Sequence, residues 1–534
     1  MRQIEVTVPG ESVCAGTAAA FWEKPEDLPA GKASYRVLLN GELAEETSAC
    51  SSVFKDLAPD TDYAVSVYCR EAEDGEAPDA GAAAEGREDS TRSASLFRGL
   101  FGKKKHPAET GAQYSTGFHT PPRAEYLSIV NFGAVGDGRE KDTEAIQRAV
   151  NACRPWQVLH IPAGRWISGA VFLKSDLTLC LDEGAVLEGS PDPADYPVQE
   201  EAGGKHYAGL LNACPGAGER FSEIRIVGSG TIEGNGAALG LAELRQRAGM
   251  RGSILSIRNT DGFFLEGVTL REAPGWCIRL AGCTRTTILA VRIENLHRAD
   301  GRLIGVPNNE GIDVSCCRDL RILRSRIESG DDGIAVRTGS TVVKPADITD
   351  AANTEATENI RISDCTFADG FGVTCGSGKA GIIRDVRVAR CTYTDAFSIV
   401  SIKGCRGRGN KMEDITAEDC SLVNRNPAYR DCKWFRGAVN VDLFYGTADE
   451  ERNLTAWQRP GADTPEVRHL TFRNLSIQTE GGRAIFLCGL PERHLTGIHL
   501  ENIRAESRQG MAVENTDDLS IRALQLTVAG ESEE

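Results

Sequence analysis

The sequence predicts an all-β protein in which a small antiparallel β-sandwich precedes a long right-handed parallel β-helix. Three observations predict it. An apolar–x–apolar pair followed by a turn recurs from residue 224 to residue 521. At 534 residues the chain exceeds one ordinary globular core, so a small domain plus a solenoid is the natural division. Glycine is abundant, at 57 residues, and aromatics are sparse, at 6%, which suits many turns and few bulky core rings.

Residues 1–120 read as the first domain. Ile4-Val6-Val8, Tyr35-Val37-Leu39 and Tyr63-Val65-Val67 alternate as short antiparallel strands do. Asn40-Gly41 between apolar runs signals a hairpin. Leu57-Ala58-Pro59-Asp60-Thr61-Asp62-Tyr63 resembles the tyrosine corner of fibronectin type III domains, where a Tyr hydroxyl bonds back to the chain. Residues 71–110 break the pattern with Glu, Asp, Gly, Ala and Ser, then Lys103-Lys104-Lys105. They read as a flexible, solvated insertion rather than a membrane or nucleic-acid site. Gln113 to Thr120 supplies a last strand.

Residues 121–534 read as the β-helix. Asp142 to Cys153 is helical, with Asp142 as N-cap and Ala145, Ile146, Ala149 and Val150 on one face. Such a helix caps the open end of a solenoid and hides its strand edges. The repeat follows at Ile224-Arg225-Ile226, Phe264-Leu265, Thr287-Ile288, Leu320-Arg321-Ile322, Ile360-Arg361-Ile362, Val386-Arg387-Val388, Leu470-Thr471-Phe472, Ile498-His499-Leu500 and Leu519-Ser520-Ile521. Steps such as 264 to 288, 360 to 386 and 470 to 498 run from 24 to 28 residues without a helix, the mark of stacked β-coils. The longer step from 322 to 360 implies a loop inserted into a rung.

A net charge of −17 argues against a nucleic-acid partner, which would favour a basic surface. It leaves room for a local basic cleft and an anionic sugar. No stretch reaches the length of a membrane span, so no membrane partner is expected. The 17 Cys are scattered and odd in number, and Cys277, Cys365, Cys391 and Cys420 fall at apolar strand positions; buried thiols in a reducing compartment explain them better than disulfides. The opening MRQIEVTVPGES shows no basic segment followed by an apolar run, so a cytoplasmic location is the expectation. The eight His are scattered, no Cys/His spacing suits zinc, and no phosphate-binding glycine loop occurs; neither metal nor cofactor is expected.

The chemistry concentrates at Asn308-Asn309-Glu310-Gly311-Ile312-Asp313 and Gly330-Asp331-Asp332-Gly333. Alone, Asp-Asp-Gly is an ordinary turn. The step from Glu310 to Asp331 is 21 residues, about one coil, and coils stack at roughly 4.8 Å. Glu310 therefore lands beside the Asp pair. Glycoside cleavage needs one protonated carboxyl for the leaving oxygen and one ionised carboxylate for water or attack. Crowded carboxylates cannot all ionise cheaply, so such a cluster supplies both.

From about Ser128 onward the chain resembles family 28 of the glycoside hydrolases, the polygalacturonases, whose fold is the pectin-lyase-like β-helix. The resemblance rests on Asn131-Phe132-Gly133-Ala134-Val135-Gly136-Asp137-Gly138 with Asp142-Thr143, then Pro162-Ala163-Gly164, Leu173-Lys174-Ser175 and Gly230-Thr231-Ile232-Glu233-Gly234 in order. A fibronectin-like domain ahead of the helix is similar to the exo-acting members. The family's site is an Asn-Thr-Asp, an Asp-Asp, a Gly-His-Gly and an Arg-Ile-Lys. The resemblance implies Asp331 as general acid and Asp332 as holding and activating water, with Asn308-Asn309-Glu310 standing for the first motif, Glu for Asp. Ser401-Ile402-Lys403 keeps only the Lys of the last motif, and Gly370-Phe371-Gly372 has Phe for His. The missing Arg weakens a bidentate clamp on a uronate carboxylate. Arg406 and Arg408 follow the Lys, as is common in the family.

The expected catalytic residues are thus Asp331, Asp332 and Glu310. Expected substrate contacts are Asn308, Lys403, Arg337, Arg406, Arg408 and Trp434, with Tyr429, Arg430, Lys433, Arg436 and His206-Tyr207 as weaker candidates on loops. Asn259-Thr260-Asp261-Gly262 spells the family motif but lies 70 residues before Asp331, and reads as an ordinary turn. The expected activity is inverting, exo-acting hydrolysis of α-linked galacturonic acid in pectic oligosaccharides. Hydrolysis of another pectic linkage, a β-helix lyase and a non-catalytic sugar-binding protein remain as rivals. The oligomeric state is not legible.

Overall fold

The computed structural model describes residues 2–14, 16–25, 27–28, 33–71, 115–201, 204–239, 252–299, 302–304, 308–338, 356–378, 380–430, 432, 434–448 and 451–529. Most of the 71–110 insertion and Lys433 lie outside the described residues. The chain divides into two compact units, Met1–Pro122 and Arg123–Glu534.

In the first unit Arg2–Ile4, Ala33–Leu39, Glu42–Thr47, Asp62–Glu71 and Thr116–His119 form one antiparallel sheet, and Ala18–Phe21 pairs with Ser51–Phe54 in another. Alternation does the sorting: Tyr35, Val37, Val65 and Val67 are fully buried between neighbours that stay half-buried or exposed. Asn40 and Gly41 both take positive φ, turning the hairpin between the second and third of these strands. The Tyr63 hydroxyl accepts the Ala58 amide proton at 2.8 Å, the local tie that the Leu57–Tyr63 run foretells.

The second unit is a parallel β-helix. Eleven short strands, from Val171–Phe172 to Met511–Glu514, form one parallel sheet. The remaining faces belong to a larger sheet, also paired in parallel from rung to rung. The expected repeat is real: Leu320, Ile360, Val386, Leu470, Ile498 and Leu519 occupy one continuous ladder. The rungs at Leu159–Ile161 and Leu179–Leu181, before Ile224, escaped sequence reading, and so did one rung inside this ladder. Ile415 sits between Val386 and Leu470, and its inward partner two residues on is the small Ala417. On the eleven-stranded sheet Ile278, Ile312, Ile334, Val373, Val400, Val439 and Ile485 stack in register and are fully buried. Burying one such side chain contributes about 1.5–3 kcal/mol, and no coil completes that burial alone.

The helix Thr143–Ala152 buries Ala145, Ile146, Ala149 and Val150 against this core. Asp142 precedes it but does not cap it. Its carboxylate accepts the Val135 and Gly136 amides at 2.7 and 3.2 Å, so it pins the preceding glycine-rich loop instead. Cys277, Cys365, Cys391 and Cys420 are buried in the solenoid. No helix among the described residues is long and apolar enough to cross a membrane.

Candidate active site

The site grows from the period of two. On the strands Ile312–Ser315, Ile334–Arg337 and Val400–Lys403 the core takes Ile312, Val314, Ile334, Val336, Val400 and Ile402. Asp313, Arg337 and Lys403 therefore project from the outer face of one sheet. Rung stacking aligns the loops before these strands. The Gly311 amide donates to the Asp332 carbonyl at 3.0 Å, and the Phe371 amide donates to the Asp331 carbonyl at 3.0 Å. Glu310, the Asp pair and Phe371 thus belong to three successive coils.

Glycine sets how closely these coils approach. A Cβ on Gly311 would lie 2.5 Å from the Gly333 carbonyl oxygen, and one on Gly372 only 2.0 Å from that of Ser398. Gly372 also has φ +66°, which L side chains adopt only under strain. Fully buried Asn295 fixes the loop before Glu310. It donates to the Glu310 carbonyl at 3.1 Å, and Asn309 donates to the Asn295 carbonyl at 2.9 Å.

The structure gathers Glu310, Asp331 and Asp332 into one cluster and adds Asp313. Arg337 ties it together, reaching Glu310 at 2.8 Å, Asp313 at 3.1 Å and Asp332 at 3.8 Å. Lys403 donates to Asp332 at 2.6 Å, with its ammonium 5.1 Å from the Phe435 ring centre and 5.3 Å from that of Tyr445. Glu310 and Asp332 are each 1% exposed, whereas Asp331 is only partly buried. Glu310 Oε2 and Asp332 Oδ1 have no hydrogen-bond partner among the described residues.

Four carboxylates face two cations here. Burial pushes the Glu310 carboxyl up to about 7; Arg337 opposes the shift, and Asp331, Asp332 and Asp313 add to it. Burial also raises Asp331, helped by the charge of Asp332 and opposed by Lys403. Arg337 keeps its proton: burial disfavours the charge, but Asp313, Glu310 and Asp332 outweigh burial. The cluster therefore retains a proton near neutrality, and Lys403 pairs with Asp332 at its edge. A partly exposed acid beside buried carboxylates with unfilled acceptor positions can protonate a leaving oxygen and polarise a water.

The expected substrate contacts lie in different surroundings. Arg337 is enclosed among carboxylates and its hydrogen-bonded nitrogens face them, so it orders the cluster. Arg406 is engaged by Glu492, a two-point pair at 2.6 and 2.7 Å, by the Ala456 carbonyl and by the Phe444 ring. Arg408 donates to the Ser377 carbonyl and lies 5.9 Å from the Tyr445 ring. Trp434 is 58% exposed and 6.2 Å from Tyr445, on the rim. Asn308 is exposed, in a left-handed turn at φ +57°. Tyr429 packs with Phe371 and Phe397, which in turn meet Phe435 to form an aromatic wall, the ring of Phe371 lying 4.4 Å from that of Phe435. Ser401 is fully buried and donates to Ser398 at 2.9 Å. Arg430 pairs with Glu480. His206 meets Trp276 edge-on, and Tyr207 is buried in a separate apolar cluster. Asp261 pairs with Arg285 at 2.9 Å on a strand of the other sheet, as an ordinary structural residue.

Sequence reasoning missed Asp313, Asn295, Phe435 and Tyr445. Asp313 was recoverable: it stands three residues beyond Glu310 at an outward position, one rung from the strand of Arg337. The other three have no sequence signal, because each enters from a loop or turn of another coil.

The model of the family described as glycosyl hydrolases family 28 matches residues 201–429, which include all three proposed catalytic carboxylates. A "Probable polygalacturonase" of Vitis vinifera is 27% identical over 403 residues, covering 71% of this chain and 74% of that protein. An "Exo-poly-alpha-D-galacturonosidase" of Dickeya chrysanthemi is 25% identical over 404 residues, covering 67% of this chain and 62% of that protein, so the match spans under two thirds of its length. Among solved structures, a family 28 exopolygalacturonase of Yersinia enterocolitica shares the fold, with a TM-score of 0.71, 17% identity and coverage of 100% of this chain and 97% of the other. Fold, family match and sequence relatives lead to one conclusion: the chain is a glycoside hydrolase, similar over residues 201–429 to family 28.

Proposed function

We propose that the protein is an inverting, exo-acting hydrolase that removes α-linked galacturonic acid from pectin-derived oligosaccharides. The observation that carries this reading is the asymmetry of the cluster: Asp331 is partly exposed with a raised carboxyl, while Glu310 and Asp332 are buried and each retains one unpartnered oxygen. Asp331 is the general acid. Asp332, paired with Lys403, and Glu310 hold and activate the water. Direct attack by that water inverts the anomeric centre, and acid and base then stand roughly 6.5–9.5 Å apart. Exo action is supported by the name of the Dickeya relative.

A panel of pectic oligosaccharides tests the reading. Release of single galacturonic acid units, with inverted configuration in fresh product by NMR, is expected. Retention of configuration would make one carboxylate a nucleophile, and an unsaturated, ultraviolet-absorbing product would make the enzyme a lyase.

One observation favours a second reading, hydrolysis of another uronate-containing pectic linkage. Phe371 and Ser401 replace the polar His and Arg of the family pattern, and both belong to a wall closed by Phe397, Phe435 and Ser398. On this reading unbranched polygalacturonate is a poor substrate beside a branched or rhamnose-linked oligomer. Because Ser401 is fully buried, Ser401→Arg is expected to disturb that wall rather than to restore carboxylate binding.

A further inference from the structure

Beyond the aromatic wall the outer face of the same sheet opens into a second, basic cleft. It lies on Gly437–Asp442, Arg483–Cys488 and Met511–Glu514, the strands that follow the Lys403 rung in stacking order. The cleft has about 610 Å³ of room, within the range of ordinary ligand pockets. Phe435 joins it to the carboxylate site, since this ring lines the cleft and also faces the Lys403 ammonium.

Its lining is unusual for a chain of net charge −17. Arg430, Arg436, Arg452 and Arg483 face Glu514 as the only lining carboxylate among the described residues. Neighbouring carboxylates order some of these cations. Asp442, 2% exposed, accepts two bonds from Arg452 at 2.8 and 2.9 Å and lies 3.6 Å from Arg436. Both guanidinium groups also rest on the Phe486 ring, at 5.7 and 5.9 Å from its centre. Arg483 differs: among the described residues its guanidinium meets the Gln509 carbonyl at 2.7 Å and no carboxylate.

We infer that this cleft is a second carboxylate-recognition site, which binds a uronate unit of the same chain at a distance from the bond being cut. The inference rests on the hydrolase reading above and extends it. Arg483 supplies the primary contact to the uronate, because its charge is least engaged. Arg436 and Arg452, held by Asp442 and Phe486, supply a preorganised positive wall and an apolar floor for a sugar face. The strand of Arg483 is four rungs beyond that of Arg337, roughly 19 Å at the ordinary strand spacing. Only a chain of several sugars bridges the two sites, so the cleft makes binding depend on chain length and on free carboxyls.

Calorimetry on the Asp331→Asn form separates binding from turnover. Titration with di-, tri- and tetra-galacturonate is expected to show affinity rising with length, and methyl esterification of the tetramer should abolish most of that rise. Adding Arg483→Gln should weaken tetramer binding about tenfold and dimer binding less, whereas Arg483→Lys, which keeps a point charge, should recover part of the loss. Dimer binding by each variant reports that the fold is intact. Tetramer binding unchanged by Arg483→Gln, or equal for free and esterified tetramers, would overturn the second site and leave the hydrolase reading standing. Failure of every uronate chain to bind the Asp331→Asn form would overturn both.

Discussion

Two buried glutamates in one solenoid carry opposite electrostatics. Glu418 lies on the larger sheet, fully buried, and accepts the Nε protons of Arg387 and Arg473 from neighbouring rungs, each at 2.6 Å. Burial works against its charge, but the two guanidinium groups outweigh burial and hold the carboxyl below its usual range. Glu310 is as deeply buried on the eleven-stranded sheet, yet its one guanidinium is shared with Asp313 and Asp332, and its carboxyl is raised. Burial raises both carboxyls. At Glu418 two arginines outweigh it, whereas at Glu310 a single arginine, shared with other carboxylates, does not.

That difference divides structural ion pairs from chemistry. A carboxylate with two dedicated arginines stays ionised and has no proton to give. One that shares its arginine sits in a cluster where a proton resides near neutral pH, ready for the partly exposed member, Asp331. The strongest way to break the comparison is to remove the proposed proton donor. Asp331→Asn is expected to lower the hydrolysis rate by about 10²–10⁴-fold while binding persists. A substrate with a good leaving group should recover part of the rate in this variant but not in Asp332→Asn, whose proposed work is on the water. Equal loss on both substrates would take the acid role away from Asp331.

Removing the shared cation is the next largest perturbation. Arg337→Gln leaves Glu310 and Asp313 buried without their guanidinium, and losing one partner of a buried pair costs about 3–5 kcal/mol. The cost should grow from pH 5 to pH 8, the range in which the Glu310 carboxyl ionises. Denaturant titrations at both values measure it. A loss under about 1 kcal/mol at either pH would show that Arg337 is dispensable to the cluster.

Much of this fold was legible because a strand repeats every two residues and a coil every twenty-odd. The inward pairs at Leu320, Ile360, Val386, Leu470, Ile498 and Leu519 announced a ladder, and the step from Glu310 to Asp331 announced a shared patch. The rung at Ile415 was silent because Ala417 is too small to mark an apolar position. Charged partners were the least legible. Arg406 looked like a sugar contact until Glu492, 86 residues away, was found to hold it. Asp142 looked like a helix cap until its carboxylate was seen on the loop before it. Sequence spacing places an arginine or aspartate on a face; long-range topology decides which neighbour takes its hydrogen bonds.

Glu418→Gln perturbs the other side of the comparison. It removes a charge that two partly exposed arginines surround, and about 1–3 kcal/mol of stability should be lost. Hydrolysis by the folded variant should match wild type, since Glu418 lies off the site. A fall in kcat without a fall in stability would mean that the two sheets are coupled.

The smallest effect is the most discriminating, because the two glutamates should shape the pH dependence of stability with opposite signs. The Glu310 carboxyl rises from 4.5 to about 7 on folding, so between those values the folded chain holds a proton that the unfolded chain releases. Stability then falls as pH rises through this window. The Glu418 carboxyl is lowered on folding, so its contribution is fully present above the unfolded value and is lost as pH falls below it. Urea titrations from pH 3 to pH 8 should therefore show a shallower decline between pH 5 and pH 8 in Glu310→Gln than in wild type. Glu418→Gln should instead flatten the acid side and leave the neutral side unchanged. If Glu310→Gln declined as steeply as wild type between pH 5 and pH 8, the proton would reside on another member of the cluster, and the division between a shared and a dedicated arginine would fail at Glu310.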